Sequence, residues 1–82
     1  MQKNIVAVIG LGYVGLPLLH LMSKKKVNCL GFDLDKEKIN SLKNKKSYIS
    51  DLENNELKIL KSKQLFDMDQ ISNINKANYI IF

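Results

Sequence analysis

The chain has 82 residues, 45% of them hydrophobic and 26% charged, with one cysteine and a net charge of +5. This is close to the globular average, which excludes a disordered tail or a collagen-like repeat, and no apolar run approaches the ~20 residues of a membrane-spanning helix. A lone cysteine excludes an internal disulfide, and a chain near this size buries about 60–65% of its unfolded surface, so one small core is expected and two domains are not.

The first predicted element is a strand over Asn4-Ile5-Val6-Ala7-Val8-Ile9, β-branched, continuous and bounded by Gly10. Continuous rather than alternating hydrophobicity fits a strand of a parallel sheet, buried on both faces. A helix follows from near Val14, with apolar residues at Val14, Leu18, Leu21 and Met22. Pro17 is tolerable that close to the helix start, and Lys24 to Lys26 suit the negative C-terminal end. Val27 to Phe32 reads as a second strand with Asp33 at its tip. Asp35 to Lys46 reads as a helix with Asp35 as N-cap and Ile39 and Leu42 on one face. A turn-prone stretch, Asn44 to Ser50, comes next. Glu53 to Lys61 reads as a short helix presenting Leu57 and Leu60, Leu65-Phe66 as a minimal strand, and Asp69 to Lys76 as a short helix with Ile71 and Ile74. Ala77 to Phe82 has the pattern of a buried strand. The order β-α-β-α-α-β-α-β predicts an α/β fold with a parallel sheet, a partial Rossmann (doubly wound) domain.

The chemistry lies in Gly10-x-Gly12-x-x-Gly15. Alone the spacing is weak. Here it follows a strand, opens a helix, and is followed by Asp33 near the ~20-residue distance expected of a dinucleotide-binding acid. Gly10 makes the tight turn, Gly12 lets the backbone approach a pyrophosphate, and Gly15 lets helix and strand pack closely. The helix N-terminus offers free N–H groups and partial positive charge to the phosphates. A carboxylate at Asp33 accepts from both ribose hydroxyls and repels a 2′-phosphate, which favours NAD over NADP. The competing reading of Asp33 is a surface residue capping the next helix. Tyr13 either packs over the cofactor or covers the sheet end. Lys38 lies one turn into the segment after Asp33, within reach of the ribose, and is otherwise a solvated lysine. His20 reads as a helix-surface or boundary residue and Cys29 as a buried, inert thiol.

Every basic residue is Lys and none is Arg. Nucleic-acid readers lean on Arg, and no aromatics interleave the lysines, so a solvated surface is the better reading than a nucleic-acid patch. No His/Cys cluster has metal-ligand spacing. A reducing compartment, the cytoplasm, is the default for this cysteine usage.

Ile5-Val6-Ala7-Val8-Ile9-Gly10-Leu11-Gly12-Tyr13-Val14-Gly15-Leu16-Pro17-Leu18 closely resembles the N-terminus of the UDP-glucose/GDP-mannose dehydrogenase family. Gly31-Phe32-Asp33-Leu34-Asp35 with Lys38-Ile39 is similar to the family's second strand and following helix. Lys46-Ser47-Tyr48-Ile49-Ser50-Asp51-Leu52 resembles the branch acting on UDP-N-acetylhexosamines, where the UDP-glucose branch has a Pro-Gly-Leu segment. Ala77 to Phe82 resembles the strand preceding the family's Val-Pro-Thr-Pro loop.

The resemblance implies an oxidoreductase that takes the sugar C6 alcohol to a carboxylate with two NAD⁺ in succession, through a catalytic Cys in a later domain. Cys29 does not match that Cys. The cofactor residues carried over by motif are Gly10, Gly12, Tyr13, Val14, Gly15, Asp33 and Lys38. Residues 1–82 then form the N-terminal part of the NAD-binding domain, without the central dimerisation and UDP-sugar domains. By themselves they are expected to be inactive, with a UDP-sugar substrate and a homo-oligomer as properties of the whole enzyme, and no nucleic-acid or membrane partner. The alternatives are a free-standing NAD-binding or sensing module, the UDP-glucose branch, or another Gly-x-Gly-x-x-Gly dehydrogenase. The terminal strand is expected beside the first, with its outer edge unpaired and prone to association.

Overall fold

The computed structural model describes residues 4–82. Four strands, β1 (Ile5–Ile9), β2 (Asn28–Asp33), β3 (Leu65–Asp67) and β4 (Tyr79–Ile81), form one sheet in the order β3-β2-β1-β4. Every adjacent pair is parallel, with Ala7 opposite Leu30 on one side and Ile80 on the other. Two α-helices, α1 (Gly15–Lys24) and α2 (Lys36–Lys43), link the first strands. The expected α/β architecture is present.

The helices form for the reasons their sequences carry. α1 starts at Gly15 with Pro17 in its first turn, where a missing N–H leaves no intrahelical bond unmade. Asp35 caps α2 by accepting from the Glu37 N–H at 2.9 Å. Both helices stop in the same way. Lys26 and Lys45 take left-handed backbone at φ 62°. Val27 N–H bonds to Met22 C=O and Lys26 N–H to Ser23 C=O; Lys46 N–H bonds to Ser41 C=O and Lys45 N–H to Leu42 C=O. This is the paired 6→1 and 5→2 closure of a Schellman motif, with lysine where glycine is usual. α2 therefore ends at Lys43, short of the expected Lys46.

The later helical stretches are 3-10 rather than α. They span Asn54–Ile59, Ser62–Gln64 and Met68–Lys76, the last broken by non-helical backbone at Gln70. The Ser62–Gln64 turn was not expected. The segments are too short or too interrupted to propagate an α-helix, but they still bury what the sequence asks of them: Leu57 and Leu60 are fully buried.

One sheet face, through Val8, Cys29 and Leu65, carries the main core with Leu16 and Leu19 of α1, Ile39 and Leu42 of α2, and Leu57 and Leu60. Each fully buried Leu or Ile contributes about 1.5–3 kcal/mol relative to exposure. The other face holds Ala7 and Phe32, both fully buried. The Phe32 and Phe66 rings stack there at 5.1 Å between centroids, with the Met68–Lys76 segment packed on β2 and β3.

β4 departs from the expected burial. Tyr79 is 58% exposed and Ile80 44%, because β4 is the sheet edge and β1 is the strand it pairs with. Asn78 clasps it in place. Its side-chain oxygen accepts the Ile5 N–H at 2.9 Å, and its own N–H donates to Ile5 C=O at 2.7 Å. Past β1 the chain steps outward to β2 and β3, then returns to β4 on β1's other side. The strand order thus reverses at β1, and the C-terminal ends of β1 and β4 flank the crevice where open α/β sheets take ligands.

Candidate functional site

The loop leaving β1 is held from several sides. Gly10 adopts φ +94°, a left-handed conformation that any side chain would strain, and donates its N–H to Phe32 C=O at 2.8 Å. Leu11 is fully buried. Its N–H donates to Asp33 Oδ2 at 2.8 Å, and its C=O accepts the Tyr48 hydroxyl at 2.6 Å. Gly12 faces open space: a Cβ there would meet nothing within 4 Å. A Cβ on Gly15 would overlap the carbonyl of Gly10, so α1 begins hard against the strand exit. No acidic residue stands in the first turn of α1, which leaves the positive end of its dipole without a carboxylate on the helix itself.

Asp33 is buried, 8% exposed. Its Oδ1 accepts the Asp35 N–H at 2.8 Å, opposite the Oδ2 bond to Leu11. A carboxylate offers about four acceptor positions, so one remains on each oxygen. The helix cap is Asp35, so Asp33 is not the capping residue of the competing sequence reading.

Two clefts meet at Gly12. The first, about 410 Å³, is lined by Gly12, Tyr13, Asp35, Lys38 and Tyr48 among others. The second, about 270 Å³, is lined by Gly10, Gly12, Val14, Gly15 and, from β4, Ile81. Asp33 lies beneath, lining neither. Tyr13 and Val14 are exposed on the rim, at 72% and 82%. The Lys38 ammonium sits 5.5 Å from the centroid of the Tyr48 ring. Burial first, and then the charges of Asp33 and Asp35, push the Tyr48 hydroxyl well above the usual phenol range, so it stays protonated and donates. A larger cleft of about 690 Å³, lined by Lys24, Lys26, Lys61 and Lys63, opens at the other end of the strands, away from the loop.

The seven residues marked from the sequence thus gather around one loop, four on the β4 side and the rest towards α2. Leu11, Asp35 and Tyr48 were not marked. Tyr48 lies in an aperiodic stretch, and the sequence signal there is the resemblance of Lys46 to Leu52 to the family's segment, which points to the substrate branch and not to the glycine loop. His20 is buried rather than on the surface, with Nε2 3.0 Å from Glu56 C=O. Cys29 is buried in β2 beside Ser23 Oγ at 3.3 Å. Among the described residues no group of His, Cys, Asp and Glu could hold a metal ion, and no helix is long and apolar enough to cross a membrane.

Residues 4–82 match the profile of the UDP-glucose/GDP-mannose dehydrogenase family, NAD binding domain. The chain belongs to that family. Protein CapL of Staphylococcus aureus is 35% identical over 81 residues, which is 99% of this chain and 18% of that protein. A UDP-N-acetyl-D-glucosamine 6-dehydrogenase of Salmonella typhi is 37% identical over 76 residues, 93% of this chain and 17% of that protein. The chain spans less than a fifth of the length of these relatives. The cofactor of the matched dehydrogenase domain is NAD, and the loop fits a dinucleotide on its own geometry. Gly12 is open to a close approach, the first turn of α1 carries no acid, and a buried acid stands at the tip of β2.

Proposed function

We propose that this chain is the N-terminal part of the NAD-binding domain of a nucleotide-sugar 6-dehydrogenase, one that oxidises the C6 alcohol of a UDP-N-acetylhexosamine, with UDP-N-acetylglucosamine the favoured substrate. The observation that carries the cofactor site is the open Gly12 position between two clefts, at the start of a helix whose first turn carries no acid. The substrate branch is supported by the name of the Salmonella typhi relative and by the Ser47-Tyr48-Ile49 segment.

Gly10, Gly12 and Gly15 shape the loop, and its amides and the α1 N-terminus receive the pyrophosphate. The free acceptor positions of Asp33 take the ribose hydroxyls on the adenosine side. Lys38 adds a cation at the cleft towards α2, whose rim Tyr13 closes, and Val14 closes the rim of the cleft towards β4. NAD, when bound, accepts hydride from the substrate. Cys29 is buried in β2 at the far end of the sheet and is no nucleophile for the loop. The chain alone is therefore expected to bind the adenosine half of the cofactor and to oxidise no sugar.

Titration of the chain with ADP-ribose and with NAD tests this. Comparable affinities are expected, with NADP weaker, and Asp33→Ala should lower affinity and narrow the gap to NADP. An unchanged preference in Asp33→Ala removes the residue from the site. Much tighter binding of NAD than of ADP-ribose indicates a self-sufficient binding module instead. In a full-length enzyme carrying this domain, two NAD⁺ should be reduced per UDP-sugar consumed; a one-to-one ratio overturns the oxidation to the carboxylate.

A further inference from the structure

We propose that Tyr48 is a positioning residue for the adenosine end of the cofactor: its hydroxyl fixes the glycine loop through Leu11, and its ring places Lys38 beside the cleft. This rests on the cofactor site proposed above and adds a residue to it that no glycine motif contains.

Leu11 is held at three points. Its side chain is locked in the core, its N–H is taken by Asp33 and its C=O by Tyr48. The peptide on each side of Leu11 is thus held by a side chain from a different part of the sequence. The plane of the Leu11–Gly12 peptide sets the direction of the Gly12 N–H, and Gly12 is the residue that lines both clefts. Asp33 controls the near side of this unit and Tyr48 the far side, so removing the hydroxyl frees the peptide that the phosphates approach.

The loop carrying Tyr48 is itself tied down. Ser47 N–H donates to Asn54 Oδ1 at 2.8 Å, and Ser47 Oγ donates to Ile49 C=O at 2.9 Å. Lys45 Nζ reaches Leu60 C=O across the next segment. Ile49, beside Tyr48, is 7% exposed and part of the core. Tyr48 therefore transmits a fixed position to the glycine loop. Its other face attracts the Lys38 ammonium at 5.5 Å. Lys38 carries a flexible four-carbon stem, and the ring restricts where its charge sits. The two functions are separable by chemistry, because phenylalanine keeps the ring and loses only the hydroxyl.

The test is a set of ADP-ribose titrations of the chain as wild type, Tyr48→Phe, Tyr48→Leu, Lys38→Met and the two double variants. Tyr48→Phe should weaken ADP-ribose binding roughly 3- to 10-fold, the value of one hydrogen bond, with the Leu11 and Gly12 amide resonances displaced before any ligand is added. Lys38→Met should lose affinity by the same factor in wild type and in Tyr48→Phe, and by a smaller factor in Tyr48→Leu, where the ring is gone. A merely structural tyrosine gives no such coupling to Lys38. Wild-type affinity in Tyr48→Phe with unshifted Leu11 and Gly12 amides overturns the loop role. An equal Lys38→Met effect in all three backgrounds overturns the ring role. Absence of ADP-ribose binding by the wild type overturns the cofactor site, and this proposal with it; binding that is indifferent to Tyr48 overturns this proposal alone. Tyr48→Phe retains the ring's packing and tests the loop role by itself; where Tyr48→Leu does not fold, Tyr48→His, which removes the phenol ring but keeps a planar side chain of smaller size, serves as the third background for Lys38→Met.

Discussion

Gly15 is where the site and the fold make the same demand on one residue. Its missing Cβ is what lets α1 start against the carbonyl of Gly10. Because that obstacle is backbone, it cannot swing aside as a side chain would. Gly15→Ala is expected to destabilise the chain by about 1–3 kcal/mol, the usual cost of overpacking, read as a lower urea midpoint. Tyr48 gives a second residue-scale expectation. Its folded form holds the phenolic proton to a higher pH than the unfolded chain does. The unfolded state therefore releases protons first, above about pH 10. The contribution of Tyr48 is intact below that pH and lost as pH rises towards the raised folded value. Urea unfolding between pH 8 and 11 should show wild type losing stability more steeply than Tyr48→Phe; parallel curves would count against a buried, neutral phenol. The glycine positions and Asp33 were legible in the sequence because each answers to a local backbone need or a fixed spacing. Tyr48 and Leu11 were not, since what recruits them is one hydrogen bond between residues far apart in the chain.

At the scale of elements, the two α-helices are readable from apolar spacing and the Asp35 cap, and the end of α1 from its lysine run, whereas the end of α2 is not. The signal for a helix stop is glycine, and here lysine fills the left-handed position twice. Lysine in that conformation costs roughly 1–2 kcal/mol, partly offset because glycine would add freedom to the unfolded chain. Lys26→Gly is expected to raise stability by about 0.5–1 kcal/mol; a drop would mean the lysine side chain contributes more than its backbone costs. Two of the three 3-10 segments lie close to the expected helices and differ from them in type, and the Ser62–Gln64 turn has no counterpart among the expected elements. Pairs of apolar residues three apart, such as Leu57 and Leu60 or Ile71 and Ile74, fit 3-10 and α geometry alike. The Lys36–Asp69 ion pair between α2 and the Met68–Lys76 segment raises the lysine's pKa through its hydrogen bond. Both side chains are exposed, so salt screens the pair and it adds little.

For the molecule as a whole, parallel pairing follows from the alternation of strands and helices, since parallel strands need crossovers, and the last strand lies beside β1 as expected. Burial of β4 did not follow, because the apolar run Tyr79 to Phe82 says how a strand would be covered and not whether anything covers it. As the chain stands, Tyr79, Ile80 and Ile81 offer an apolar strand edge. Such edges pair with other chains. Sedimentation of the 82-residue chain should show a mass that grows with concentration; a monomer at every concentration would contradict it.

The Asn78 clasp gives β4 a direction of opening. Two hydrogen bonds fasten it to Ile5 at one end, while the Ile81 end forms a wall of the cleft beside Gly10 and Gly15. Fluctuations should unzip the strand from the cleft end and stop at the clasp, at a free energy below that of global unfolding. Amide exchange is then expected to run faster at Ile81 than at Asn78. A molecule seated in the cleft would slow it, which makes the edge strand a reporter of occupancy at a loop it follows by more than sixty residues.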